Sequence, residues 1–174
     1  MTARKYRYDQ KEIKNELTKL KGIEIMEEKG YARVTGQERI TTTVFLYDTP
    51  IVSFYYDNEK NERGNSVAHV KLTSGGWNTP LTKSRINRVS AFYNLNFSVE
   101  QKKFQWFTFL ITYDEGMQFL PWRTFDPTQD AKLDRQFDMN GLTYCGFTFA
   151  PSENIWAYRS SYFTKNNEID LSFV

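Results

Sequence analysis

The stretch that decides the fold is Val67-Ala68-His69-Val70-Lys71-Leu72-Thr73-Ser74-Gly75-Gly76-Trp77-Asn78-Thr79-Pro80-Leu81-Thr82-Lys83-Ser84-Arg85-Ile86-Asn87-Arg88-Val89-Ser90-Ala91-Phe92-Tyr93. Up to Leu72 the apolar residues Ala68, Val70 and Leu72 alternate with His69 and Lys71, the period of a strand with one buried face. After the paired glycines the period changes. Ile86, Val89 and Tyr93 recur at three- and four-residue spacing, which puts them on one face of a helix. Thr79 followed by Pro80 supplies an N-cap and a first helical position, with Thr82 able to cap a slightly later start. A strand, a glycine turn and a helix in direct succession predict a mixed architecture.

Upstream, the period is strand-like from Ile23 to Leu72, with strands expected over residues 31–34, 39–47, 51–56 and 67–72. Residues 57–66, polar and rich in turn formers, read as the loop of an antiparallel hairpin. Before these, residues 9–21 place Ile13, Leu17 and Leu20 at helical spacing, and Gly22 follows as a stop. A basic tail with Arg4, Lys5 and Arg7 precedes that helix, and residues 1–8 are expected to be mobile. Downstream, strands are expected over 96–100, 104–112, 116–120, 142–149, 155–163 and 169–174, with a short polar helix over 128–137. The segment 121–130 is the best place for a boundary if residues 126–174 form a C-terminal β extension. The fold class expected is therefore α+β: a single domain spanning 1–174, a mainly antiparallel twisted sheet with the N-terminal helix and the mid-chain helix packed on it.

Composition narrows the chemistry. The 174 residues carry 23 Lys and Arg against 21 Asp and Glu, a net charge of +2, so any positive field is local. Aromatic residues make up 17% of the chain, which favours strands and a ring-rich core. With one cysteine, Cys145, and one histidine, His69, the chain offers no internal disulfide and no Cys/His zinc site. A catalytic histidine would have to be His69, which the alternation places on the wetter face of a strand. Cys145 reads as an inert, partly buried thiol. No window is apolar for long enough to span a membrane, and the N-terminus has no secretory apolar core. No metal, cofactor or catalytic residue is expected, although Asp126, Asp130, Asp134 and Asp138, spaced by four, would line one face of a short helix.

The residues with chemical content lie between strand and helix. Gly75 and Gly76 can turn successive N–H groups into one concavity, and the helix start adds unpaired N–H groups and the positive end of its dipole. Thr79 and Thr82 add hydroxyls, Lys83 a point charge and Arg85 a fork suited to phosphate or carboxylate. Arg85 and Arg88 share one flank of the helix, and Lys83 and Asn87 form a second row. The plainer alternative is a tight turn at Gly75-Gly76, with Trp77 plugging the core and the cations solvated. The aromatic strands Phe104-Gln105-Trp106-Phe107-Thr108-Phe109 and Tyr144-Cys145-Gly146-Phe147-Thr148-Phe149 carry rings on both faces, Phe104 with Trp106 and Phe107 with Phe109 in the first. They read as a two-sided core, a protein interface or a base-stacking platform.

From Leu72 to Asn87 the chain resembles a family of small phage and prophage proteins with the pattern L-x-[ST]-G-G-[WY]-x-T-x-T-T-K-x-R-[IM]-N. That pattern has an upstream Leu-His-x-Thr element, matched here by Leu46-Tyr47-Asp48-Thr49, and downstream strands matched in kind by Asn96-Phe97-Ser98-Val99 and Phe104-Gln105-Trp106-Phe107. Tyr47 stands where the family has histidine, and Leu81 where it has threonine. The resemblance implies a phage origin, action in the host cytoplasm and a shared site, without assigning a reaction. The reading it leads to is a non-catalytic accessory protein. It binds nucleic acid or a phosphorylated small molecule through Gly75, Gly76, Trp77, Thr79, Thr82, Lys83, Arg85, Asn87 and Arg88. An inhibitor of a host protein, acting by protein contact or ligand sequestration, and a metal-dependent phosphodiesterase are the alternatives.

Overall fold

Alternating apolar residues build the larger of two antiparallel sheets in this computed structural model, which describes residues 10–31, 36–60, 64, 66–95, 97–112, 116–124 and 142–150. In chain order the elements are α1 (Gln10–Thr18), β1 (Ile23–Tyr31), β2 (Glu38–Leu46), β3 (Thr49–Lys60), β4 (Ser66–Thr73), α2 (Pro80–Phe92), β5 (Phe97–Lys102), β6 (Gln105–Thr112), β7 (Gly116–Pro121), β8 (Arg123–Thr124) and β9 (Thr143–Phe149). The large sheet has the order β1-β2-β3-β4-β9-β8, and β5-β6-β7 form the second. The architecture is thus α+β, mainly antiparallel, with an N-terminal and a mid-chain helix. The expected strands at 155–163 and 169–174, the 128–137 helix, the 1–8 tail and Asp126, Asp130, Asp134 and Asp138 lie outside the described residues.

Register explains the core. Val44 pairs with Val52, Val52 with Leu72 and Leu72 with Cys145, so one inward row crosses four strands. A second row runs through Thr42, Phe54, Val70 and Phe147. Helix α1 lays Ile13 and Leu17 into this core, and α2 adds Ile86, Val89 and, at its C-cap, Tyr93. The expected helical face is therefore the buried one. Thr79 caps α2 with its hydroxyl accepting from the Thr82 amide at 3.2 Å, and Pro80 opens the helix.

Helix α2 is fastened to β5 by two side chains. Ser90 Oγ donates to the Phe97 carbonyl at 2.7 Å and accepts from the Phe97 amide at 3.0 Å. Asn87 repeats the device on Val99, accepting from its N–H at 2.6 Å and donating to its carbonyl at 3.1 Å. Strand β5 therefore runs antiparallel to α2, and its Lys102 end points toward the start of the helix.

The structure refines the sequence expectations at several points. Of the strand expected over 31–34, residues 32–34 lie outside the described residues, and the first described strand is Ile23–Tyr31. It is an edge strand bearing Glu24, Glu27, Glu28 and Lys29, and charge on an edge discourages pairing with a foreign strand while hiding the alternation. Strand β3 runs on to Lys60, opposite Ser66, through what was expected to be loop. Residues 121–124, the described part of the segment offered as a boundary, are tied into the fold. Trp122 is buried, its amide donates to the Trp106 carbonyl at 3.0 Å and its Nε1 to Thr108 Oγ1 at 2.8 Å, so it joins the second sheet to β8. Phe104 shares no face with Trp106. It sits in the β5–β6 turn and is 95% exposed, whereas Trp106, Thr108, Leu110 and Phe109 are buried on the two faces of β6. Trp106 and Phe109 are therefore buried rings, and Phe107 is half-buried.

Candidate site at the glycine turn

Two segments of chain meet at one pocket. The first is the β2–β3 turn, where Tyr47 and Asp48 form a two-residue loop with φ of 47° and 68°. Positive φ at both positions is the backbone of a hairpin turn whose twist matches its strands. The second is the link from β4 to α2. Gly75 has a φ of 62°, and a Cβ there would collide with Thr49 Cγ2. Glycine is required at this point both by the left-handed backbone and by the close approach. Gly22, with a φ of 86°, does the same service for Tyr47: a Cβ on it would lie 2.8 Å from the tyrosine ring. The Tyr47 amide donates to the Gly22 carbonyl at 2.9 Å, fixing the turn against the end of α1.

The pocket between these segments has a volume of about 300 Å³ and is walled by Leu46, Tyr47, Thr49, Ser74, Trp77 and Leu81, with Ile51, Thr79 and Thr82 behind them. Its surface is mostly apolar. Trp77 is 66% exposed, Tyr47 54% and Leu81 42%. Trp77 therefore does not plug the core, as the plainer sequence alternative supposed, and stands at the rim of an open hollow. Ser74 hydrogen-bonds the Asn78 side chain, and the Trp77 amide donates to the Ser74 carbonyl at 3.0 Å, which holds the loop in shape.

The other expected binding residues are placed differently. The Gly75 amide is already committed, donating to Thr73 Oγ1 at 3.1 Å. The amides of Gly76, Asn78 and Leu81 engage no partner among the described residues. Thr79 and Thr82 reach the pocket wall, their hydroxyls 3.1 Å apart. Lys83 and Arg85 are half-buried and Arg88 is exposed, its guanidinium 5.4 Å from the Phe92 ring centre. None of these three cations lines the pocket. Arg85 Nε is buried without a hydrogen-bond partner among the described residues. The Asn87 amide is occupied by Val99 from both sides, so its role in this structure is to join helix to strand.

The single histidine and cysteine lie elsewhere. His69 is half-buried on the outer face of the large sheet, with Nε2 2.8 Å from Asp57 Oδ2, Nδ1 2.9 Å from Thr148 Oγ1 and its ring stacked on Tyr55 at 4.6 Å. The chain of hydroxyl, imidazole and carboxylate ties β3, β4 and β9 together. Cys145 is buried, and desolvation pushes its thiol up to about 11, so it stays protonated and unreactive at neutral pH. Among the described residues no three His, Cys, Asp or Glu side chains converge as a metal site, and no helix is long and apolar enough to cross a membrane.

Fold and pocket together define a small α+β protein with an open, aromatic-rimmed hollow at a strand–turn–helix junction. The chain belongs to the Kyanoviridae Gp96 protein family, whose model matches residues 21–126 and so takes in both walls of the pocket. It is a phage protein family. No curated protein and no solved structure matches the chain. The pocket escaped the sequence reading because Tyr47 and Trp77 are thirty positions apart. The one signal that linked them was the Leu46-Tyr47-Asp48-Thr49 element of the resemblance.

Proposed function

We propose that this chain is a non-catalytic phage accessory protein that works by protein contact, taking an apolar or aromatic side chain of its partner into the pocket rimmed by Tyr47, Trp77 and Leu81. One observation carries the reading: three large apolar side chains stand exposed around a mostly apolar hollow of about 300 Å³. Water gains by leaving such a surface, and aromatic anchors in a concave setting are the residues that carry binding energy at protein interfaces. Among the described residues no cation lines the wall, which disfavours a phosphate in the hollow itself. Inhibition of a host protein by such contact is the form of this function expected for an accessory protein.

A specific observation supports a second reading, the binding of a phosphorylated ligand or nucleic-acid backbone beside the pocket. Among the described residues the amides of Gly76 and Leu81 engage no partner, and the buried Arg85 Nε has no acceptor. A buried charged donor without a partner is destabilising until an acceptor reaches it.

Amide-resolved NMR titration separates the two. Indole is expected to shift Trp77, Leu81 and Thr49 resonances, and inorganic phosphate to leave them in place. Shifts at Gly76, Leu81 and Arg85 Nε with phosphate or AMP, diminishing with added salt, would transfer the conclusion to the second reading. Silence with all three probes would remove both.

A further inference from the structure

The chain carries a projection as well as a hollow. Strands β5 and β6 are joined by the two-residue loop Lys103-Phe104, with φ of 52° and 68°, and Phe104 at its tip is 95% exposed. A phenylalanine rarely occupies the left-handed region, where asparagine or glycine sits without strain. Backbone held in such a state points to a use for the side chain. The Phe104 ring has no ring neighbour among the described residues, and the fold around it gives the strain no offset.

We propose that the partner entering the pocket is a second copy of this chain, which inserts Phe104 between Tyr47, Trp77 and Leu81. This rests on the protein-contact reading of the pocket. Shape and charge both favour it. The hollow of about 300 Å³ has room for a phenyl ring, and both surfaces are apolar. Beside Phe104 stands Lys103, and beside Tyr47 stands Asp48. Both are exposed, and neither makes an ion pair among the described residues. Docking the ring brings these opposite charges to the same rim.

Geometry also favours a closed pair. Strand β5 runs antiparallel to α2, with Phe97 held at Ser90 and Val99 at Asn87, so its tip advances toward the helix start that walls the pocket. Projection and hollow thus face one end of the molecule. Two copies meeting there about a two-fold axis satisfy both contacts at once, and no unfilled site is left to propagate a filament. Contact between two such tips is small for a protein interface, so a reversible dimer with a dissociation constant in roughly the micromolar range is expected.

Sedimentation velocity at low ionic strength, from about 1 to about 100 µM, tests the proposal. The wild type should pass from monomer to dimer. Phe104→Asn should stay monomeric while melting no lower than the wild type, since asparagine suits the turn. Lys103→Asp and Asp48→Lys should each weaken pairing several-fold, and an equimolar mixture of the two should recover it, because only the mixed pair sets opposite charges together. A monomeric wild type over the whole range, or a Phe104→Asn protein that pairs as well as the wild type, overturns the proposal. Indole titrated into Phe104→Asn judges the pocket separately. Shifts at Trp77 and Leu81 alongside a monomeric wild type leave the pocket reading standing and remove self-pairing, whereas no shifts remove the pocket reading itself.

Discussion

Replacing Gly75 with alanine tests whether the pocket depends on the close approach of the β4–α2 link to the β2–β3 hairpin. Two separable costs arise. The backbone at φ 62° is left-handed, which costs an L-residue about 1–2 kcal/mol. The new methyl also collides with Thr49 Cγ2, and forcing an extra carbon into a packed site costs about 1–3 kcal/mol. We expect Gly75→Ala to destabilise by about 3 kcal/mol in total. Thr49→Ser deletes Cγ2 and keeps the hydroxyl, so alone it should cost about 1 kcal/mol or less. In that background Gly75→Ala meets no methyl, and only the backbone part, about 1–2 kcal/mol, should remain. The double-mutant cycle therefore carries a favourable coupling of about 1–2 kcal/mol. Urea titrations followed by far-ultraviolet circular dichroism, with equal slopes across the four proteins, supply the numbers. If Gly75→Ala costs the same in both backgrounds, Thr49 does not oppose Gly75. If it costs under about 0.5 kcal/mol, the left-handed requirement itself is wrong.

Trp77→Ala should change stability by no more than about 0.5 kcal/mol because the side chain is exposed, whereas Trp106→Ala, in the core, should cost about 3–5 kcal/mol; urea midpoints compare them. Asn87→Ala leaves the Val99 N–H and carbonyl without partners and should destabilise by about 1–3 kcal/mol, read the same way, with no direct change at the pocket. Burial pushes the Tyr93 hydroxyl up from 10.0 to about 12, with Glu27 adding to the effect, and the Cys145 thiol from 9.0 to about 11. Both folded values lie above the unfolded ones, so the protonated forms favour the fold. Their contribution is complete below pH 9 and is lost as pH rises through 11 to 12. Melting temperatures should therefore fall across that window, and Tyr93→Phe should flatten its upper part.

What was legible in the sequence was whatever local chemistry decides. The Thr79-Pro80 cap, the Ile86, Val89 and Tyr93 face and the alternation through Val70 and Leu72 all depend on neighbours within a turn or two, and each is in place. The change of period at Ile23 marks where β1 begins, but its extent is less legible, because an exposed edge needs no apolar alternation and glutamates interrupt it. Asn87 read as part of a polar row, since nothing in the sequence says that residues twelve apart will bond. From the sequence, Trp77 suits both a core and a ligand role. Its side chain stands exposed at the pocket rim, a placement that rests on tertiary packing invisible to any window of sequence.

The two hairpin turns share the feature that hides a short loop in a sequence. Short loops are recognised by glycine or asparagine at the positions of positive φ, and here Tyr47-Asp48 and Lys103-Phe104 occupy them. Each aromatic residue is strained by about 1–2 kcal/mol relative to glycine. For Tyr47 the offset is visible within the chain: its amide bonds Gly22, its ring packs on Gly22, and its outer edge walls the pocket. Phe104 occupies the same backbone state with 95% of its surface in water. Of two comparable strains, only that of Tyr47 has a visible offset among the described residues, and the pairing proposed above supplies one for Phe104.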